Sequence, residues 1–284
     1  MAILLAVSAA IGWGASDFYG GDALRRDTSV FAIVALSELL GVVLLLPTLV
    51  VRGVPPAVNP RLLLAAVAGV AVTAELGLVY RALSRGNAFI TAPVGALGAA
   101  AAVSIGLISG DQLDGAIAAG LFCAVLGGGI SAWSAPNASR KTVIGNLAIC
   151  LGAAAAVATM LTCLHDAGQV DPLWATATEH VSTAISAGLA VLLANRRALR
   201  QSLPNRAQLP TVALVAAVGV AGDVAYAAAS QQGALSIVSA VSSLYPLTTI
   251  ALGRLVRSRH PTRMQLIGIT LALLGAVLLG AATR

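Results

Sequence analysis

Charge is scarce in this chain. Asp, Glu, Lys and Arg make up 10% of its 284 residues, where a soluble domain carries about 25%. That shortage excludes a soluble globular fold. Cysteine is nearly absent too: Cys123, Cys150 and Cys163 all lie in apolar runs, with no metal-ligand spacing and no disulfide framework. Aromatic residues are only 4%, which favours small polar solutes over large planar ones. There is no Walker loop, no strand–helix G-x-G-x-x-G, no H-E-x-x-H and no G-x-S-x-G. No ATPase is encoded, and neither an enzyme nor a cofactor is expected.

What is present is apolar residue, at 58%. Ten runs of roughly 20 residues follow one another, each long enough to cross about 30 Å of hydrocarbon. They are Ala2–Tyr19, Val30–Val51, Leu62–Leu83, Asn87–Ile108, Gly115–Trp133, Val143–Leu164, Leu173–Leu193, Leu209–Ala229, Ala234–Leu255 and Met264–Leu279. Backbone polar groups in lipid must pair internally, which leaves helices or a closed barrel. The runs do not alternate as barrel strands would. The expected fold is an all-α polytopic membrane protein with ten transmembrane helices. Met1-Ala2 offers no basic leader, so the first run is expected to stay attached as a helix.

The ten runs divide into two copies of five, 1–138 and 142–284. Y-R-A-L-S-R-G from Tyr80 pairs with the corner from Tyr226 to Gly233. Gly120 and Gly127 in run 5 pair with Gly268 and Gly275 in run 10, and Ser37-Glu38 with Thr178-Glu179. An odd number of crossings turns the second copy upside down, giving the inverted repeat of secondary transporters. The charges agree. Of the 17 Lys and Arg, all but Arg52, Arg61 and Arg284 lie in the connectors after odd-numbered runs or at their edges. The net charge of +6 is therefore a topology signal and not a nucleic-acid surface. The positive-inside rule puts the odd connectors in the cytoplasm and both termini outside.

Of the eleven acids, Asp17, Glu38, Glu75, Glu179 and Asp223 fall inside apolar runs. An ionisable group there costs about 2.5–3.5 kcal/mol or more, so it faces a bundle interior or a water path. Glu75 and Asp223 lie eleven and ten residues before the corner glycines Gly86 and Gly233, and are the preferred proton carriers. Asp17 follows Trp13 by one turn. Glu38 and Glu179 are equivalents, on helices that could be peripheral. Run 9 carries a hydroxyl stripe including Ser239 and Ser243, with Tyr245-Pro246 inside it. Each proline removes a backbone hydrogen bond and frees a carbonyl. Pro93 in run 4 maps onto Ala240 and so breaks at another depth. The hydroxyls and acids have a plain alternative role, joining helix to helix. The histidines, His165, His180 and His260, have no sequence-spaced partner.

W-G-A-S-D-F-Y-G-G-D-A-L-R-R from Trp13, A-P-V-G-A-L from Ala92 and S-S-L-Y-P-L-T-T from Ser242, with the two corners, resemble the EamA-type branch of the drug/metabolite transporter superfamily. The resemblance covers nearly the whole chain. It implies an exporter of amino acids, other metabolites or drugs, with a central cavity between the repeats. Members often carry Gly-Glu after the fourth and ninth helices, where this chain has Gly110-Asp111 and Arg257-Ser258-Arg259. They are usually drawn with cytoplasmic termini, the reverse of what the arginines here indicate. The expectation is a transporter in the cell membrane, a monomer or homodimer. It would move a small solute by alternating access, with a proton as candidate coupling ion. Tyr80, Tyr226, Tyr245 and the run-9 hydroxyls would touch the solute. The competing reading is a non-transporting scaffold or partner subunit.

Overall fold

The computed structural model describes residues 1–23, 29–54, 58–83, 91–132, 147–194, 204–258 and 262–282. Among these the chain is helical throughout: α1 (Ala2–Ala23), α2 (Val30–Arg52), α3 (Leu62–Leu83), α4 (Thr91–Ile108), α5 (Gly115–Ala132), α6 (Leu147–Val170), α7 (Pro172–Ala194), α8 (Leu209–Ser230), α9 (Leu235–Ser242), α10 (Tyr245–Arg257) and α11 (Arg263–Ala282). The short helices α9 and α10 are two halves of one span, so the ten expected crossings are all present. Six spans are long and apolar enough to cross a membrane on composition alone: α1, α2, α3, α6, α8 and the α9–α10 pair. Helix α7 is long but carries Glu179, His180 and Thr183 buried in the bundle.

Local chemistry explains the ends. Helix α2 stops at Gly53, whose left-handed φ of 61° lets its N–H reach the Leu49 and Val50 carbonyls. Asp171 starts α7: its Oδ1 accepts from the N–H groups of Leu173 and Trp174 at 3.1 and 3.2 Å, with Pro172 in the first helical position. The expected break in run 9 falls at Ser243-Leu244, just before Pro246. Helix α4 is described from Thr91 on and contains Pro93, and the stretch 84–90 before it, where a break at Pro93 would show, lies outside the described residues. Helix α6 also runs six residues past Leu164 and takes in His165 and Asp166.

The packing is two-fold. Helix α1 lies against α8 as α3 lies against α6. Helix α6 packs on α4 as α1 packs on the α9–α10 span, α2 faces its equivalent α7, and α5 faces its equivalent α11. Exchanging run k with run k+5 maps this contact set onto itself. Two five-helix repeats related by a pseudo-twofold axis produce that pattern.

The α5–α11 contact uses the glycine pairs read from the sequence. A Cβ on Gly127 would lie 2.7 Å from the Gly268 carbonyl oxygen, and one on Gly275 would lie 2.7 Å from that of Gly120. Small residues let the two backbones touch where lipid supplies no hydrophobic drive. Gly127→Val and Gly275→Val should each destabilise the protein by about 1–3 kcal/mol through overpacking. Unfolding midpoints in detergent, unchanged for both variants, would contradict this contact.

Candidate functional site

Each acid inside an apolar run needs a wet or paired environment, and the fold provides one. A cavity of about 420 Å³ lies between the two repeats. All five intramembrane acids line it: Asp17 from α1, Glu38 from α2, Glu75 from α3, Glu179 from α7 and Asp223 from α8. Ser243 and Tyr245, at the α9–α10 break, line it as well. The cavity reaches Gly20, Gly21 and Val30, at the ends of α1 and α2 on the side of the odd connectors. Asp17, one turn from Gly20, is exposed. The floor is deeper. His180 lies about 20 Å along α7 from that same face, counted from Ala194 at 1.5 Å per residue.

At the floor the acids converge on one imidazole. His180 is 1% exposed and Glu179 is 3% exposed. Nδ1 of His180 meets the Glu38 carboxylate. Its Nε2 lies 3.3 Å from Asp223 Oδ2 and 3.9 Å from Glu179 Oε2. Trp13 donates its indole N–H to Asp223 Oδ1 at 2.7 Å, and Thr183 donates to Glu179 Oε1 at 2.8 Å. The group ties α1 and α2 of the first repeat to α7 and α8 of the second. Glu38, Glu179 and His180 also each offer one ligand atom within 4.8 Å of the others, a spacing that can accept a cation.

Glycines make room for these contacts. A Cβ on Gly12 would sit 2.6 Å from the Val218 carbonyl and 2.7 Å from Gly222 Cα, so α1 and α8 touch there and Trp13 reaches Asp223. A Cβ on Gly41 would stand 3.0 Å from His180 Nδ1. Helix α10 is positioned the same way, with its Tyr245 carbonyl against Gly14 and Thr249 donating to the Gly14 carbonyl at 3.0 Å.

Beyond the floor the opposite face is shut. Tyr226 is fully buried. Its hydroxyl donates to the Leu161 carbonyl at 2.8 Å, lies 3.0 Å from Ser239 Oγ, and its ring leans on Trp13 at 5.3 Å. Asp111 of the first repeat accepts the Ser236 N–H at 2.9 Å and so caps α9 of the second. Ser242 donates to the Ala6 carbonyl at 3.3 Å. At the rim, Arg52 and Asp171 form an ion pair at 2.8 Å, and Trp174 donates to the Val54 carbonyl at 3.0 Å.

The sequence-predicted residues therefore divide. Trp13, Asp17, Glu75, Asp223, Ser243 and Tyr245 are brought together at the cavity. Tyr226 and Ser239 do not reach it: they bind each other in the seal, where hydroxyl-to-carbonyl bonds occupy them. Pro246 lies beside Tyr245 in the first turn of α10. Tyr80 and Pro93 are on described backbone, in α3 and α4, but their side chains lie outside the described residues, as does the Ser84–Ile90 corner. Glu38 and Glu179 are central and not peripheral, and His180 has three acidic neighbours that sequence spacing did not show. The adjacency of Glu179 and His180 inside an apolar run was the available signal.

This is the architecture of a two-repeat membrane transporter. The model of the EamA-like transporter family matches residues 1–133 and 143–281, and the chain belongs to that family. It is thereby a multi-pass membrane transporter of the drug/metabolite transporter superfamily. Among solved structures, 24 chains match. One, a crystal structure of a protein 17% identical in sequence, superposes with a TM-score of 0.77 over 98% of this chain and 97% of its own; at that identity the likeness bears on fold alone. No curated protein matches the sequence.

The rim pair makes a pH prediction. Burial pushes the Asp171 carboxyl up. The Arg52 hydrogen bond, the Trp174 N–H, the Arg52 charge and the Leu173 N–H outweigh it and hold the group below the usual carboxylate range. A depressed folded-state value stabilises above the unfolded carboxyl pKa of about 3.9 and is lost as pH falls through the folded value. Asp171→Asn should lower the unfolding midpoint at neutral pH, and the gap to wild type should close below about pH 4. A gap that stays constant with pH would contradict the pairing.

Proposed function

We propose that this chain is a secondary transporter that moves a small polar solute, amino acid-like or other, across the cell membrane by alternating access. Residues 1–138 and 142–284 are the two inverted repeats that rock about the cavity. The observation that carries this reading is an acid-lined cavity between the two repeats, with polar contacts closing the bundle beyond its floor. A scaffold needs acids only as helix ties, and has no use for a 420 Å³ space reaching past the bilayer centre.

With the arginine-rich connectors in the cytoplasm, both termini are outside, and transport runs outward, as export. The polar contacts of the seal are single hydrogen bonds, each with a net worth of about 0.5–1.5 kcal/mol. A few such bonds can be exchanged for equivalents on the opposite face without a large net cost. The acids are the proposed coupling groups, with Glu75 and Asp223 carrying the proton.

Wild-type-expressing cells should enrich one or a few solutes in the medium over cells lacking the protein, as read by untargeted metabolite comparison. Glu75→Gln and Asp223→Asn should remove that enrichment and its dependence on external pH while the protein still inserts. No solute difference between cells with and without the protein would overturn the transport reading. Unchanged export in both variants would overturn the acid assignment.

A further inference from the structure

We infer that Thr162, His165 and Ser236 form a second solute station on the far side of the Tyr226 seal, one that takes a neutral hydroxyl or amide group of the solute on its way out. This rests on the transport reading above and adds a site to it. Buried side-chain polar atoms that lack a hydrogen-bond partner among the described residues fall into two groups. Those of Glu38, Glu179 and His180 belong to the cavity floor. The others are Thr162 Oγ1, His165 Nδ1 and Ser236 Oγ, and these three residues do not line the cavity.

The Tyr226 hydroxyl fixes where they sit. It joins the Leu161 carbonyl of α6 to Ser239 of α9, at 2.8 and 3.0 Å. Helix α6 runs from that bridge toward the face of the chain termini, and α9 runs from that face toward the bridge. His165 lies one turn outward of Leu161, and Ser236 lies three residues outward of Ser239, so the two stand at one level. Thr162 precedes His165 by three residues and shares its side of α6. Asp111 joins the group: its Oδ2 accepts the Ser236 N–H at 2.9 Å, and its charge, with that of Asp166, acts on His165. His165 is about 8 Å inside the end of α6 at Val170, counted at 1.5 Å per residue. Even so, His165 is 3% and Ser236 1% exposed.

Dry polar atoms this close to a membrane surface cost stability for as long as they have no partner. A state in which the Tyr226 bridge parts gives all three of them water or solute. Their chemistry sets what they hold. The Gln169 amide nitrogen lies 3.0 Å from His165 Nε2; with the amide donating, the ring proton sits on Nδ1. The station then offers one ring N–H and two hydroxyls, which both donate and accept. A hydroxyl or a primary amide matches that set. A carboxylate would stand against the charges of Asp111 and Asp166. An ammonium brings only donors to a ring N–H that needs an acceptor.

The test is thiol labelling of the full chain in oriented vesicles. Ser236→Cys and Thr162→Cys are made separately in a background with Cys123, Cys150 and Cys163 replaced by Ala. Val238→Cys, fully buried on α9, is the control. A membrane-impermeant maleimide should modify the first two from the face of the termini and not from the face of the arginine-rich connectors, and should leave the control inert. Tyr226→Phe removes both bridge bonds and should raise their labelling rate roughly fivefold or more, the population change that one net hydrogen bond gives. Erythritol should slow the labelling of Ser236→Cys, while succinate and 1,4-diaminobutane at the same concentration should not. His165→Leu should remove that protection. Two inert cysteines, with and without Tyr226→Phe, overturn the station, as does labelling from the connector face or equal labelling of the control. Protection by succinate or the diamine, or by none of the three, overturns the assigned chemistry. One-sided labelling with no solute enrichment by cells would remove the transport reading and keep the station. Enrichment with both cysteines inert would do the reverse.

Discussion

Everything in the bundle interior answers to one constraint: a buried imidazole held among three carboxylates inside a membrane. His180 touches Glu38 and Asp223 and lies near Glu179. Ionisable groups at this depth persist only when paired or wetted. Pairing fixes α2, α7 and α8 relative to one another, and Trp13 adds α1 through Asp223. Wetting requires the cavity. The glycines at 12, 41 and 222 follow as consequences, because each clears the volume that one of these side chains or its partner helix occupies.

The two repeats agree in frame and differ in detail. The frame is set by the helix pairs exchanged under the two-fold, down to Gly127 and Gly275. The detail decides which face is shut. Tyr226, Ser239 and the break at Ser243-Leu244 belong to the second repeat, and the bonds they make to Leu161 and within the α9 span close one end. Asp111, in the loop after α4, supplies a cross-repeat cap on α9. That is a structural role for this acid.

Much of this was legible in the sequence. The apolar runs gave the ten spans, because lipid enforces length and apolarity on every crossing, and the paired glycines of runs 5 and 10 meet as the two-copy reading expects. Five acids in apolar runs announced a polar interior, and all five line the cavity. What stayed hidden was pairing between distant runs. His180 looked partnerless because its neighbours Glu38 and Asp223 come from α2 and α8, and no local spacing encodes that meeting. Tyr226 and Ser239 looked like solute contacts because a polar stripe does not reveal whether it faces water or a neighbouring carbonyl. The end of run 6 was set too early since His165 and Asp166 are polar, yet the helix continues to Val170 inside the bundle.

Alternating access requires one lining position to meet water from both faces. Ser243 lines the cavity at the α9–α10 break, so Ser243→Cys in a background without Cys123, Cys150 and Cys163 reports on it. The decisive measurement is its labelling by a membrane-impermeant thiol reagent, applied from each side of oriented vesicles. Transport by alternating access predicts reaction from both sides, with the favoured side reversing as the cavity acids are protonated or deprotonated. Reaction from one side alone under every condition would contradict it.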